Sequence, residues 1–177
     1  MRAGIAKLNN VFKLYDSESG NALDGTVTVE LPKFELTTET FKGAGVAGEV
    51  NVPVPGVMSA LTAVINCPVI YGAITKYMEL ATTKTLDLRN EIIVQDPDNH
   101  SQEKVPNRWV LKGPLSASDP GSVEQGAAGD ASITMQVYYA HHWIDGDDVL
   151  EWDPYKYIYT VNGEDLMAET RQNVLVG

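Results

Sequence analysis

Hydrophobic and polar positions alternate along most of the chain. The longest alternation covers 131–143. There Ile133, Met135, Val137, Tyr139, His141 and Trp143 fall on one side, and Thr134, Gln136, Tyr138, Ala140 and His142 on the other. A period of two sustained over that length predicts a long strand. Asp145-Gly146 follows, a dipeptide suited to a tight hairpin turn. A second long strand is predicted over 149–161, with Tyr155, Tyr157, Tyr159 and Val161 alternating until Asn162-Gly163 ends it. Upstream, Leu86, Leu88, Ile92 and Val94 alternate along one arm of another hairpin and Trp109 and Leu111 along its return. Its tip is the polar run Asp96-Pro97-Asp98-Asn99-His100. Shorter extended runs carry Val27, Val29 and Leu31, and then Val50, Val52 and Val54, where Pro53 indicates an edge position.

One segment follows a different period. Ile70, Ile74, Tyr77, Met78 and Ala81 are spaced for one face of an α-helix, and Pro68 stands just ahead of it, where a first turn tolerates proline. The stretches 37–48 and 116–130 are polar and glycine-rich and are expected to be long loops. There is no short repeat of solenoid type. The pattern predicts a mainly β protein, a single domain over 1–177. It would have two packed antiparallel sheets, as a sandwich or small barrel, and one flanking α-helix.

Composition narrows the function classes. Hydrophobic residues make up 44% and charged residues 21% of the 177 positions, as in globular proteins. The net charge is −11, from 13 Lys+Arg against 24 Asp+Glu. That balance argues against a nucleic-acid binder, which gains affinity by neutralising phosphates. The one cysteine, Cys67, allows neither an intrachain disulfide nor a cysteine-based metal site. The first residues lack the apolar core of a signal peptide, and no apolar run reaches the roughly 20 residues of a membrane helix. No membrane anchor is expected, and the chain is expected to be soluble and made in a reducing cytoplasm.

Candidate chemistry is thin. Gly43-Ala44-Gly45-Val46-Ala47-Gly48 matches G-x-G-x-x-G, but dinucleotide binding needs an apolar strand before it and a helix after it. Here the flanks read as polar and then extended, so a turned loop is expected. Asp145, Asp147, Asp148, Glu151 and Asp153 form an acidic cluster without the ligand spacing of a calcium loop. His141 and His142 are neighbours on a strand and must point to opposite faces, one half-buried and the other at the surface. His100 sits in a loop tip. Nothing near Cys67 would activate it, so a buried, inert thiol is expected. Asn99-His100-Ser101 fits a glycosylation sequon, which carries no meaning without a secretory signal. No catalytic set converges, and no enzyme activity, cofactor or metal is expected.

Four blocks carry a family resemblance. They are Leu8-Asn9-Asn10-Val11-Phe12; then Leu31-Pro32-Lys33-Phe34 with 41–48; then Gly113 through Asp119-Pro120-Gly121 into the strand ending Tyr138-Tyr139. The last is Asp145-Gly146, Glu151, Asp153, 161–165 and Arg171-Gln172-Asn173. In this order and spacing the chain resembles the major tail tube proteins of contractile phage tails. The segment 80–107 departs most from that pattern.

The resemblance implies a structural subunit that catalyses nothing. Hexameric rings, with strands from every subunit in one inner β-barrel, would stack into a hollow tube. The tube would sit inside a contractile sheath, conduct DNA without tight binding, and be driven through the host envelope. Implied partners are further copies of the chain, the tail sheath protein, a baseplate or initiator and a tape measure protein. The implied location is the virion tail, assembled in the bacterial host cytoplasm. Glu30, Glu35, Glu39 and Glu49 are candidates for a DNA-repelling lumen lining; they could equally be ordinary surface acids. Phe41, Gly43, Gly45 and Gly48 in one loop and Asp119, Pro120 and Gly121 in the other are candidate ring-stacking residues, expected to order on assembly. The alternatives are the tube of a DNA-free tail-like bacteriocin or of a secretion system, or a small-ligand-binding β-barrel.

Overall fold

The computed structural model describes residues 4–45 and 47–175. Val46, inside the glycine-rich motif, lies outside the described residues. In chain order the strands are β1 (Ile5–Asp16), β2 (Thr28–Glu30), β3 (Leu36–Phe41), β4 (Val50–Met58), β5 (Leu61–Cys67), β6 (Thr83–Gln95), β7 (Gln102–Asp119), β8 (Ala131–Val137), β9 (Tyr139–Ile144), β10 (Asp147–Asp153), β11 (Ile158–Val161) and β12 (Glu164–Asp165). A 3₁₀ helix spans Gly72–Met78, and helix α1 spans Ala168–Leu175. The described strand pairings are all antiparallel.

The mainly β expectation holds, with a different arrangement of sheets. Ten strands form one connected sheet that forks at β7, and β3 and β4 pair separately as a two-stranded hairpin. One arm runs β1-β6-β7-β9-β10-β11-β12 and the other β7-β8-β5-β2. Residues 107–112 of β7 pair with β9, and residues 115–119 pair with β8. Gly113 stands at the fork, where a Cβ would lie 1.7 Å from the carbonyl oxygen of Gln136. Only glycine permits that approach. The strand expected over 131–143 is therefore two strands broken at Tyr138, whose N–H donates to the Lys112 carbonyl (2.8 Å). Both arms line one core: Leu14, Leu86, Leu88, Leu111 and Ala140 from one, and Leu61, Ala63, Ile65, Ile133, Met135 and Val137 from the other.

The strand expected over 149–161 is likewise a hairpin. The Asp153 carboxylate accepts the N–H groups of Tyr155 (3.1 Å) and Lys156 (3.2 Å), Pro154 interrupts the ladder, and Tyr157 turns at φ 52°. This side-chain turn overrides the tyrosine alternation. Trp152 then pairs with Tyr159, and Tyr155 is 73% exposed. The other turns form as read. Asp145-Gly146 and Asn162-Gly163 all adopt positive φ (56°, 84°, 50° and 83°) and close tight hairpins. The β6–β7 hairpin sets Leu86 opposite Leu111 and Leu88 opposite Trp109.

Four expectations need correction. The segment predicted as an α-helix is the 3₁₀ helix Gly72–Met78; it buries only Ile74 and Tyr77, the i, i+3 pair that three residues per turn align. Met78 is exposed, and Ala81 lies beyond the helix at φ 64°. The α-helix lies instead at 168–175. The loop expected over 37–48 is strand in its first part: β3 runs to Phe41, leaving a tip of 42–49. The loop expected over 116–130 begins only after Asp119. Strand β1 was not legible as a strand, because both of its register shifts break the alternation.

Candidate assembly surfaces

The β3–β4 hairpin projects from the body. Phe41, Val50 and Val52 stay exposed, Phe41 at 54%. The hairpin is held along its length by its own bonds: Phe41 pairs with Val50, Thr40 Oγ1 donates to Asn51 Oδ1 (2.9 Å), and Lys42 Nζ meets Glu49 Oε1 (2.8 Å) across the tip. At its base Gly56 (φ 76°) packs under Met167, with no room for a Cβ beside the sulfur. The Gly43–Gly48 motif occupies the tip between two strands. No helix follows it, so the phosphate-binding arrangement is absent among the described residues.

The second predicted loop lies at the other end of the body. In the β5–β8 ladder Leu61 pairs with Val137 and Cys67 with Ala131. The hairpin returns to the body at the first pair; the loop 120–130 enters at the second. Seven paired residues separate these ends by roughly 20 Å at strand rise. The loop is tied at both ends. Asp119 accepts the Gly121 N–H (2.9 Å), and Asp130 accepts the N–H and hydroxyl of Ser122 (2.6 and 2.9 Å). Those Ser122 bonds hold the Asp130 carboxyl below its ordinary pKa. Gly129 abuts the Pro68 carbonyl oxygen.

The sheet has one long open edge. β1 spans 12 residues and has β6 on one side; on the other, among the described residues, only its end is covered, where Tyr15 bridges Ala22 and Leu14 and Asp16 bond to residues 21–23, whereas the edge strands β2 and β12 have three and two residues. Ile5, Leu8 and Val11 are exposed along β1.

The four predicted lining acids separate. Glu30 on β2 accepts from Asn66 (3.0 Å), Glu35 pairs with Lys33 (2.8 Å), Glu49 pairs with Lys42, and Glu39 is exposed on β3. Phe41, Gly43, Gly45 and Gly48 share the hairpin, and Asp119, Pro120 and Gly121 share the opposite loop.

Two side-chain networks escaped sequence reasoning. On the core side of the first arm, an amide ladder crosses four strands. Asn107 Nδ2 donates to Asn90 Oδ1 (2.9 Å) and Asn90 Nδ2 to Asn9 Oδ1 (3.0 Å), so the His142 Nε2–H must be the donor to Asn107 Oδ1 (2.6 Å). His142 stacks on Trp109 at 3.8 Å; burial, aided by His141, lowers its pKa to about 4. On the solvent side, Arg89 and Arg108 both bind buried Asp87, Arg108 through Nε and Nη2 at 2.8 and 2.9 Å. Burial resists ionisation of Asp87, but the two guanidiniums outweigh it and hold its pKa below the usual value. Arg89 lies over Tyr15 (5.0 Å) and Arg108 over Trp143 (5.2 Å). Only the pairing register brings these residues together.

The histidines point to opposite faces as expected, but neither is a free surface residue. His141 stacks on Trp143 (3.7 Å) and its Nε2 lies 3.0 Å from Asp148. The acidic cluster is dispersed into separate partners: Asp153 meets Lys156 (3.1 Å) and Glu151 accepts from Tyr139 (3.2 Å). Among the described residues no three metal-ligating side chains come together. Cys67 is buried, and burial raises its thiol pKa.

A search of curated proteins by sequence finds no match. Among solved structures, a chain of the anti-feeding prophage baseplate, determined by cryo-electron microscopy, is similar at 9% identity with a TM-score of 0.45. The match covers 75% of this chain and 89% of that one. A likeness that low carries no argument. The family described as phage tail tube protein FII matches residues 6–174, nearly the whole chain. The chain belongs to the phage tail tube protein FII family.

Proposed function

We propose that this protein is the repeating structural subunit of a tail tube, forming hexameric rings that stack into a hollow conduit. The family supports the structural role. The observation that carries the assembly mode is the placement of unpartnered features. Ahead of its Tyr15–Ala22 bridge, the β1 edge offers a row of backbone donors and acceptors at the side, which a neighbouring subunit can pair. The projecting hairpin and the loop 120–130 lie at opposite ends of the β5–β8 ladder. Unlike surfaces at the two ends are what head-to-tail stacking needs, because a heterologous contact repeats without closing on itself. The single core shared by both arms supports reading the chain as one domain.

The finer reading follows the resemblance. The tube works inside a contractile sheath, is built on a baseplate or initiator around a tape measure protein, and lets DNA pass in a virion tail. Glu30, Glu35, Glu39 and Glu49 are the candidate lumen-facing acids of this reading. Lys33 and Lys42 offset two of them, so Glu30 and Glu39 would supply most of the repulsion.

Negative-stain microscopy of the purified protein at increasing concentration tests the proposal. Rings or hollow rods are expected. A strictly monomeric protein at every concentration, and also in the presence of preformed tube ends, overturns it.

A further inference from the structure

The solvent side of the first arm is divided by charge. On β1, β6 and β7 the register places Lys13, Arg89, Lys104, Arg108 and Lys112 on this side, against the carboxylates of Asp87 and Glu91 and that of Asp24, which meets Lys13 (3.7 Å). On β10 and β12 it places Asp148, Glu151 and Asp165 there, with no lysine or arginine among the described residues of those two strands, although Arg171 of α1 pairs with Asp165 and His141 faces Asp148. In a chain of net charge −11 a local cationic excess stands out.

Its centre is organised beyond what folding requires. Arg89 and Arg108 are directly opposed across β6 and β7, a placement that repels unless an anion lies between. Asp87, 4% exposed, is that anion, and Arg108 alone already satisfies it with two hydrogen bonds. Arg89 adds a second cation to the same carboxylate. Both guanidiniums bind Asp87 through Nε and Nη2, so the Nη1 groups are left out of those bonds. Tyr15 and Trp143 brace the two planes, and the side chains remain 58% and 47% exposed. A fixed pair of guanidiniums with spare donors suits a further carboxylate.

The complementary acids stand at the far edge of the same arm. Glu164 on β12 and Glu169 in the first turn of α1 are exposed and have no ion-pair partner among the described residues. We propose that the Arg89–Arg108 pair receives carboxylates from the β12–α1 edge of a neighbouring copy, fixing the side-to-side register of the ring. A ring contact joins unlike sides of successive subunits, and this arm has one cationic side and one acidic side. The inference rests on the assembly proposed above and adds which surfaces meet.

Charge exchange tests it. R89E leaves Arg108 to hold Asp87, so the fold is kept; the melting temperature of the dilute subunit checks this. Onset of assembly, followed by light scattering and microscopy at low salt, is expected to need about tenfold more R89E protein than parent. E164R/E169R, which alters only exposed residues, should show the same loss, and the triple variant R89E/E164R/E169R should recover most of the parent's assembly. R89E that assembles like the parent, or a triple variant no better than R89E, overturns the inference while leaving the tube intact. A parent that never assembles removes the underlying tube reading instead. Short duplex DNA retained by the parent and lost in R89E, with assembly unchanged, would make the pair a phosphate site and also overturn the inference.

Discussion

Strands β5 and β4 carry the same kind of sequence signal and meet opposite fates. In β5 every second residue, from Leu61 to Cys67, is buried, and β8 answers with Ala131, Ile133, Met135 and Val137. In β4, Val50 and Val52 alternate just as regularly yet lie exposed. The difference is a second layer. β5 faces the first arm across a core, whereas β4 has only β3 beside Val50 and Val52 and reaches the body only at its end, through Gly56 and Met58. A two-stranded ribbon is marginal in water, so apolar residues displayed on one mark a surface that gains by being covered. Stability is concentrated in the body, and the proposed assembly would give the hairpin's apolar residues their cover.

The strongest way to break that comparison is to damage the body. Ile133 is fully buried, and I133A should cost the dilute subunit about 3–4 kcal/mol through lost transfer energy and a residual cavity. That corresponds to a fall of roughly 10 °C in melting temperature. G113A should cost at least as much, since its Cβ meets a backbone oxygen that cannot move without parting β7 from β8. Thermal unfolding by circular dichroism reads both. A loss under about 1 kcal/mol for either would mean that the body is not where stability resides.

The core strands and tight turns were legible in the sequence because each depends on neighbours within a few positions. What was missed depends on distant residues. The alternation through Tyr138 continues on paper, but Gly113, 25 positions earlier, decides where that strand breaks. The tyrosines at 155 and 157 imitate a strand, while Asp153 and Pro154 turn the chain with bonds that alternation cannot show. The glycines at 43, 45 and 48 marked the hairpin tip correctly but disguised β3. The Asp87 pair and the amide ladder exist only through register, which fixes partners as far apart as Asn9 and Asn90.

An intermediate effect comes from His142, which lies on the core side of the body. Its pKa falls from an ordinary 6.5 to about 4, so the unfolded chain binds a proton that the folded chain refuses. Stability from this residue is complete above about pH 6.5 and declines as pH drops toward 4. Between about pH 6.5 and pH 5 the subunit should lose about 1–2 kcal/mol. H142Q, whose amide can still donate to Asn107, should flatten that slope. The lowered carboxylates Asp87 and Asp165 act with the same sign, but below the usual carboxylate range, so they do not obscure the histidine window. Urea unfolding across this range supplies the slopes; identical slopes in parent and H142Q would remove His142 as the source.

The smallest effect on the subunit alone should come from the hairpin. F41S/V52S replaces two exposed apolar side chains that take no part in the core. The dilute subunit should change by no more than about 0.5 kcal/mol. Assembly should instead require at least about tenfold more protein, because such residues stabilise only when a partner covers them. The two measurements together decide the comparison. A stability loss in the dilute subunit matching that of I133A would make the hairpin part of the fold. Unchanged stability with unchanged assembly would leave its apolar surface without a partner. Weakened assembly on an undisturbed subunit separates the part that holds the fold from the part that joins it to its neighbours.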